Sequence, residues 1–305
     1  MVQLSRTGRI AFFGAILFYI AVPMIAVLLY SFSGRWTSNI LPDYYTLRHW
    51  GDAFTDPRLR EALWRTVWLA TAVLVFDVII VVPAVYWQRV RNPRIRIVTE
   101  LMAAIPFALP FVVIAFGILR FFGTTGYEGF ISLGNALPGP LGSPFIALGE
   151  WLPTNLGTPS LLLFGHAAIA FPFLYWAVDG AMSAANISRL SEAAQTCGAS
   201  PFQTLRFVVF PNIGAGLAAG GMLVFATSFG EFAIVQLLAG SRFENVSLYS
   251  LDLLNNTTSQ LEKLAVLTIV SFVILFAISV GVVYLNRGQG AQVLPGGRTM
   301  RGEQA

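Results

Sequence analysis

The sequence contains one lysine, Lys263, and one cysteine, Cys197. A phosphate-cradling loop needs Gly-x-x-x-x-Gly-Lys-Ser/Thr, and the lone lysine stands instead in Leu-Glu-Lys-Leu, so no nucleotide site of that kind is present. A single cysteine excludes an internal disulfide framework. The two histidines, His49 and His166, lie too far apart to suggest a zinc site, so no metal and no cofactor is expected. Charge is scarce as well: 11% of the 305 residues are charged against 56% hydrophobic, and the mean hydropathy is +0.69. That balance excludes a soluble globular protein of ordinary composition and makes the bilayer the natural solvent. The pI near 9.5 invites a nucleic-acid partner, but the basic residues are scattered between apolar runs rather than gathered on one face. No nucleic-acid partner is expected. Alternating ten-residue patterns are missing, which excludes an outer-membrane barrel, and internal repeats are missing, which removes support for an inverted-repeat carrier. His166, Asp179 and a serine are an inventory rather than a hydrolase constellation, so no catalytic residue is assigned.

What is there is a series of long apolar runs. A helix needs about 20 apolar residues to cross the hydrocarbon core, and about six stretches qualify, at approximately 10–32, 63–87, 99–122, 158–182, 212–240 and 263–286. Each is expected to be a helix, because backbone groups facing lipid have no water to bond. The fold class is therefore all-α, a polytopic membrane protein. The first run follows Arg6 and Arg9 as a signal peptide's would, yet it exceeds the roughly 7–15 residues of a cleavable segment and reads as a retained helix.

Orientation follows from arginine. Arg6 and Arg9 precede the first run, Arg89, Arg91, Arg94 and Arg96 fill the second connection, Arg189 and Arg206 the fourth, and Arg287, Arg298 and Arg301 the tail. These segments are expected to be cytoplasmic, with both termini inside. The opposite side is richer in acids, among them Asp43, Asp52, Asp56, Glu128, Glu150, Glu244 and Asp252. Residues 1–9 are then a cytoplasmic N-terminus, 10–286 the transmembrane domain, and 287–305 a flexible cytoplasmic tail. The Gly- and Pro-rich outer connection from Gly123 to Gly157 reads as turns or short interfacial pieces.

The most informative stretch is the connection at about 186–211. Ser188 or Ser191 can cap a short helix with Glu192 in its first turn, Gly198 supplies a turn, and Ser200 can cap a second piece with Pro201 at its first position. The run Glu192-Ala193-Ala194, then Gly198, then Val208-x-Phe210-Pro211 resembles the Glu-Ala-Ala loop of permeases from binding-protein-dependent ATP-binding-cassette importers of type I. Val208 and Phe210 stand where Ile and Leu are usual. The resemblance extends from about Ile10 to Leu285, since helix number and loop position also agree.

The resemblance implies a bacterial inner-membrane, multi-pass subunit that is not itself an enzyme. Its partners would be ATPase subunits, an extracytoplasmic substrate-binding protein, a second identical or homologous permease, and membrane lipid. Glu192, Ala193, Ala194, Gly198 and Pro211 would belong to the coupling helix and its connector. A second set, Asp77, Ser228, Gly230 and Glu231, is expected on the translocation path, because ionisable groups inside a bilayer are costly and face a cavity or a partner. Helix packing is the competing role for Asp77 and Glu231, and Asp179 and His166 are weighed the same way. The resemblance is nearest to polyamine, iron and phosphonate importers, so the expected solute is a polyamine, another amine-bearing or phosphonate solute, or iron. A proton-coupled secondary transporter is the alternative.

Overall fold

The computed structural model describes residues 6–36, 39–122, 124–155, 157–256 and 260–290. Its elements in chain order are α1 (Arg6–Ser31), β1 (Ser33–Arg35), β2 (Tyr44–Tyr45), α2 (Arg48–Thr55), α3 (Pro57–Val90), α4 (Arg96–Ala108), α5 (Phe111–Phe122), α6 (Thr124–Ala136), α7 (Ser143–Asn155), α8 (Thr158–Ala184), α9 (Ile187–Thr196), α10 (Pro201–Thr204), α11 (Phe210–Gly230), α12 (Ala233–Leu238), α13 (Val246–Asn256) and α14 (Leu261–Gly290). The two strands form one small antiparallel ribbon, with Ser33 opposite Tyr45 and Arg35 opposite Tyr44.

Among the described residues, five helical runs are long and apolar enough to cross a membrane: α1, α3, α8, Pro201–Gly230 and α14. The third expected span departs from a straight crossing. Its two halves, α4 and α5, meet at a bend of 106°. The cause is local: Pro110 crowds the backbone of the preceding residue, and Leu109 sits accordingly at φ −112°, ψ 135°, outside the helical region. Counting the bent pair as one broken span gives six. The fifth span, expected through residue 240, is also interrupted: α11 ends at Gly230, Glu231 is extended, and the chain turns helical again at Ala233. The sixth helix continues through Arg287 to Gly290, into the stretch read as tail, and residues 291–305 lie outside the described residues.

The chain divides into two compact units. One contains the residues up to Leu63 together with Val246–Phe276. Here the lone lysine finds its role: Lys263 Nζ pairs with Asp56 Oδ2, which also accepts a 2.7 Å hydrogen bond from Tyr249 Oη. Asp56 Oδ1 accepts from the Arg58 backbone N–H at 2.8 Å, and Arg58 in turn meets Asp252 at 2.9 Å. Burial alone would raise the Asp56 carboxyl, but the hydrogen bonds from Lys263, Tyr249 and Arg58 outweigh it and bring the group down to about 2.

The other unit contains Trp64–Asn245 and the residues from Ala277. Its core is built on α8, which buries Leu162, Ile169, Leu174, Tyr175, Val178 and Met182. Helix α11 lies against it through small residues. A Cβ at Gly216 would come within 2.4 Å of Ala181 Cβ, and one at Gly220 within 2.7 Å of Ala177 Cβ. In lipid, where apolar surface gives helices no reason to prefer each other over acyl chains, such backbone proximity is what holds two helices together. The Gly216-x-x-x-Gly220 spacing is thus used inside one subunit. The Gly- and Pro-rich connection between α5 and α8 forms a hairpin of two 13-residue helices, α6 and α7. Pro138 and Gly139, the latter at φ +63°, make its turn, and Pro144 falls in the first turn of α7, where a missing N–H costs little.

Candidate functional site

The connector between α8 and α11 begins with an unusual residue. Asn186 takes φ +51°, the left-handed region that asparagine tolerates better than most side chains, and this turns the chain off α8 into α9. Neither Ser188 nor Ser191 caps that helix. The helix starts at Ile187, ahead of both serines, so Glu192 falls mid-helix rather than in the first turn. Ser191 is buried instead, with Oγ unpartnered. Ile187 and Ser191 mark the inner face of α9, while Arg189, Glu192, Ala193 and Thr196 are exposed.

Helix α9 closes in a Schellman motif. Gly198 at φ +82° donates to the Gln195 carbonyl at 2.9 Å, and Ala199 donates to the Ala194 carbonyl at 3.0 Å. Ser200 then opens α10 in a capping box: its hydroxyl accepts from the Gln203 backbone N–H at 3.3 Å, and Gln203 Oε1 accepts from the Ser200 N–H at 2.8 Å. Pro201 follows at the first helical position. Five residues of wider π-helical turn, Leu205–Val209, join α10 to α11 without a break. Pro211 explains them, since a proline ring crowds the carbonyl four residues back and a widened turn relieves it.

Within the spans, Asp77 on α3 is 3% exposed and its Oδ2 has no hydrogen-bond partner. Ser228 on α11 is equally enclosed, with Oγ unpartnered. His166 places Nδ1 2.8 Å from the Leu162 carbonyl, so Nδ1 carries the proton and Nε2 is left as an unpartnered acceptor. Glu231 is differently placed. One carboxylate oxygen accepts from the Ala233 N–H at 3.1 Å and the other from the Ile234 N–H at 2.8 Å, so the side chain caps α12. Its own carbonyl accepts from Asn245 Nδ2 at 3.0 Å. Gly230 precedes the break on an exposed face, and a Cβ there would meet nothing within 4 Å.

Asp179 lies in an ion pair. It receives Arg89 Nε at 2.6 Å and lies 3.6 Å from Arg96, which also meets Glu100 at 2.8 Å. One turn away Thr99 donates to Gln88 Oε1 at 2.6 Å and sits 3.1 Å from Tyr175 Oη. The end of α3, the start of α4 and the end of α8 are therefore bonded into one patch. Residue patterns missed it because its members are about 90 positions apart in sequence, although the four arginines of the second connection marked half of it.

Two broken helices, a short amphipathic helix on a Schellman turn and a set of runs long and apolar enough to span a membrane define a polytopic membrane protein. Residues 78–289 match the family model of the binding-protein-dependent transport system inner membrane component, and the chain belongs to that family. It is 24% identical over 230 residues to the spermidine/putrescine transport system permease protein PotB of Haemophilus influenzae, covering 75% of this chain and 76% of that one. It is 28% identical over 268 residues to the sulfate transport system permease protein CysW of Escherichia coli K12, covering 85% and 81%. The crystal structure of a bacterial ABC transporter involved in the import of the acidic polysaccharide alginate contains a chain of the same fold, with TM-score 0.57 and 17% identity over 92% of this chain and 98% of that one. The chain is thus the inner-membrane permease component of a binding-protein-dependent ABC importer, and hydrolysis belongs to a separate ATPase subunit. The proton-coupled alternative loses its ground.

Proposed function

We propose that the connector between α8 and α11 is where this permease is driven. Glu192, Ala193 and Ala194 enter a groove on the ATPase subunit, Gly198 reverses the chain, and Pro211 starts the span that carries the movement inward. The observation that carries this reading is the exposure of Glu192 and Ala193 on a helix whose opposite face is buried. A carboxylate so placed does nothing for the fold, and an alanine beside it leaves room for close approach. Pull-down from detergent-solubilised membranes tests it. Wild type is expected to bring down an ATP-hydrolysing subunit, and Glu192→Lys to lose it while melting at the same temperature. Equal capture by both would sink the assignment.

Asp77, Ser228, Gly230 and Glu231 are assigned to the translocation path. Unpartnered polar atoms of Asp77 and Ser228 in apolar spans are costly, and a passing solute or water offsets that cost. Glu231 contributes by holding the helix break beside Gly230. Asp77→Asn and Ser228→Ala are expected to lower uptake with ATPase capture intact.

The solute is a polyamine or another small amine-bearing molecule, a reading supported by the spermidine/putrescine relative and the acid-rich outer loops. The sulfate relative, aligned over more of the chain, favours a second reading, a small oxyanion such as sulfate or a phosphonate. Uptake of labelled putrescine, sulfate, phosphonate and ferric iron by cells with and without the gene separates these. Both termini face the cytoplasm, as the arginines of the second connection support. A second permease, identical or homologous, completes the assembly; the apolar window of α1, none of it buried within its own chain, supports such a neighbour.

A further inference from the structure

None of the residues assigned to coupling or to the path lies on the α6–α7 hairpin. Its position is fixed by short links. One residue separates the end of α5 from α6 and two separate α7 from α8, so at about 3.5 Å per residue its ends stay within roughly 10 Å of the span ends. At 13 residues neither helix has the roughly 20 needed to cross.

The hairpin's inner face is used up by its own packing. Gly134, Gly142 and Gly149 are buried, and a Cβ at Gly142 would fall 2.0 Å from the Gly134 carbonyl oxygen. Its outer face is apolar. Leu133 is 47% exposed, Leu141 64%, Leu148 40% and Trp151 52%. Only Glu128 and Glu150 are charged between residues 124 and 157. A surface for a soluble partner carries a polar rim, and one facing water seldom leaves so many large apolar groups bare. The apolar face also continues that of a span: Phe121 at the end of α5, itself 53% exposed, meets Phe130 of α6 edge-on at 5.2 Å. An exposed tryptophan such as Trp151 suits the headgroup level, where tryptophan is enriched.

We propose that the α6–α7 hairpin is a monotopic anchor lying in the boundary between headgroups and acyl chains, with Leu133, Leu141, Leu148 and Trp151 in lipid. A hairpin laid on the membrane beside the third and fourth spans fixes their outer ends against the bilayer plane.

Spin-label accessibility tests this on the full chain, co-purified with its ATPase and reconstituted in vesicles of phosphatidylethanolamine and phosphatidylglycerol. In a Cys197→Ser background, single labels are placed through Leu133→Cys, Leu141→Cys and Leu148→Cys. Val113→Cys on α5 is the lipid reference and Asp52→Cys on α2 the water reference, both positions being exposed. The expected result is an oxygen-to-nickel-chelate accessibility ratio at the three hairpin sites close to that of Val113→Cys and several-fold above that of Asp52→Cys. A ratio matching Asp52→Cys would overturn the proposal by placing the hairpin in water. Low accessibility to both reagents would overturn it in favour of a protein neighbour. Each site reports independently, so loss of one variant to misfolding leaves two.

Discussion

Arg89 and Asp179 meet at 2.6 Å, joining the last turn of the second span to the last turns of the fourth. Their side chains are 17% and 11% exposed, so little water stands ready to replace a lost partner. Asp179→Asn is therefore expected to destabilise the subunit by about 3 kcal/mol, because it strands a partly buried guanidinium. Arg89→Gln together with Asp179→Asn is expected to cost less than the sum of the single changes. Melting of the four proteins in detergent measures this; additivity would show that the pair does not couple.

The contact between α8 and α11 predicts a sharp contrast between glycines. Gly220→Leu would drive a side chain into Ala177 and Leu174, costing about 1–3 kcal/mol or more. Gly281→Ala, where a Cβ meets nothing within 4 Å, is expected to be neutral. Yield and melting temperature after solubilisation distinguish them, and equal behaviour would refute the close approach.

Glu231 is expected to separate into a cap and a charge. Glu231→Ala leaves the N–H groups of Ala233 and Ile234 without acceptors, at about 1–3 kcal/mol each in an apolar setting. Glu231→Gln keeps one acceptor and is expected to retain more stability and more uptake. If the glutamine variant were as damaged as the alanine variant, charge rather than capping would be the side chain's contribution.

Acid stability should report on Asp56. Its carboxyl is held lower in the folded chain, about 2, than its ordinary 3.8, so ionisation favours the fold. The contribution is complete above about pH 4 and is lost as pH falls towards about 2. Melting temperature across that window is expected to fall for wild type more steeply than for Asp56→Asn, which has no proton to take up there. Parallel curves would remove the Asp56–Lys263–Tyr249 cluster from the account of stability.

Much of this architecture was legible in the residues, and its exceptions have local causes. Apolar run lengths located the spans, and Ser200-Pro201 announced a cap that the structure contains. Counting apolarity could not find the bend at Leu109, because the leucine is as apolar as its neighbours and the effect belongs to Pro110. The start of α9 differs from the serine cap expected because Asn186, rather than a serine, turns the chain. For the candidate site, Glu192 is exposed because it lies away from the face of α9 that buries Ile187 and Ser191. Asp179 was ambiguous for a different reason: its partners sit on α3 and α4, and only the approach of those helices to α8 tells a path-lining carboxylate from a paired one.

The unbroken run from Pro201 to Gly230 is a lever. Its 30 residues span about 45 Å at roughly 1.5 Å each. Tilting it by roughly 5° about its midpoint displaces both ends by roughly 2 Å in opposite directions. The arm that begins at the capping box ends beside Glu231, so on the proposed reading of the connector a small push at one end would be felt, reversed in sense, where the helix breaks.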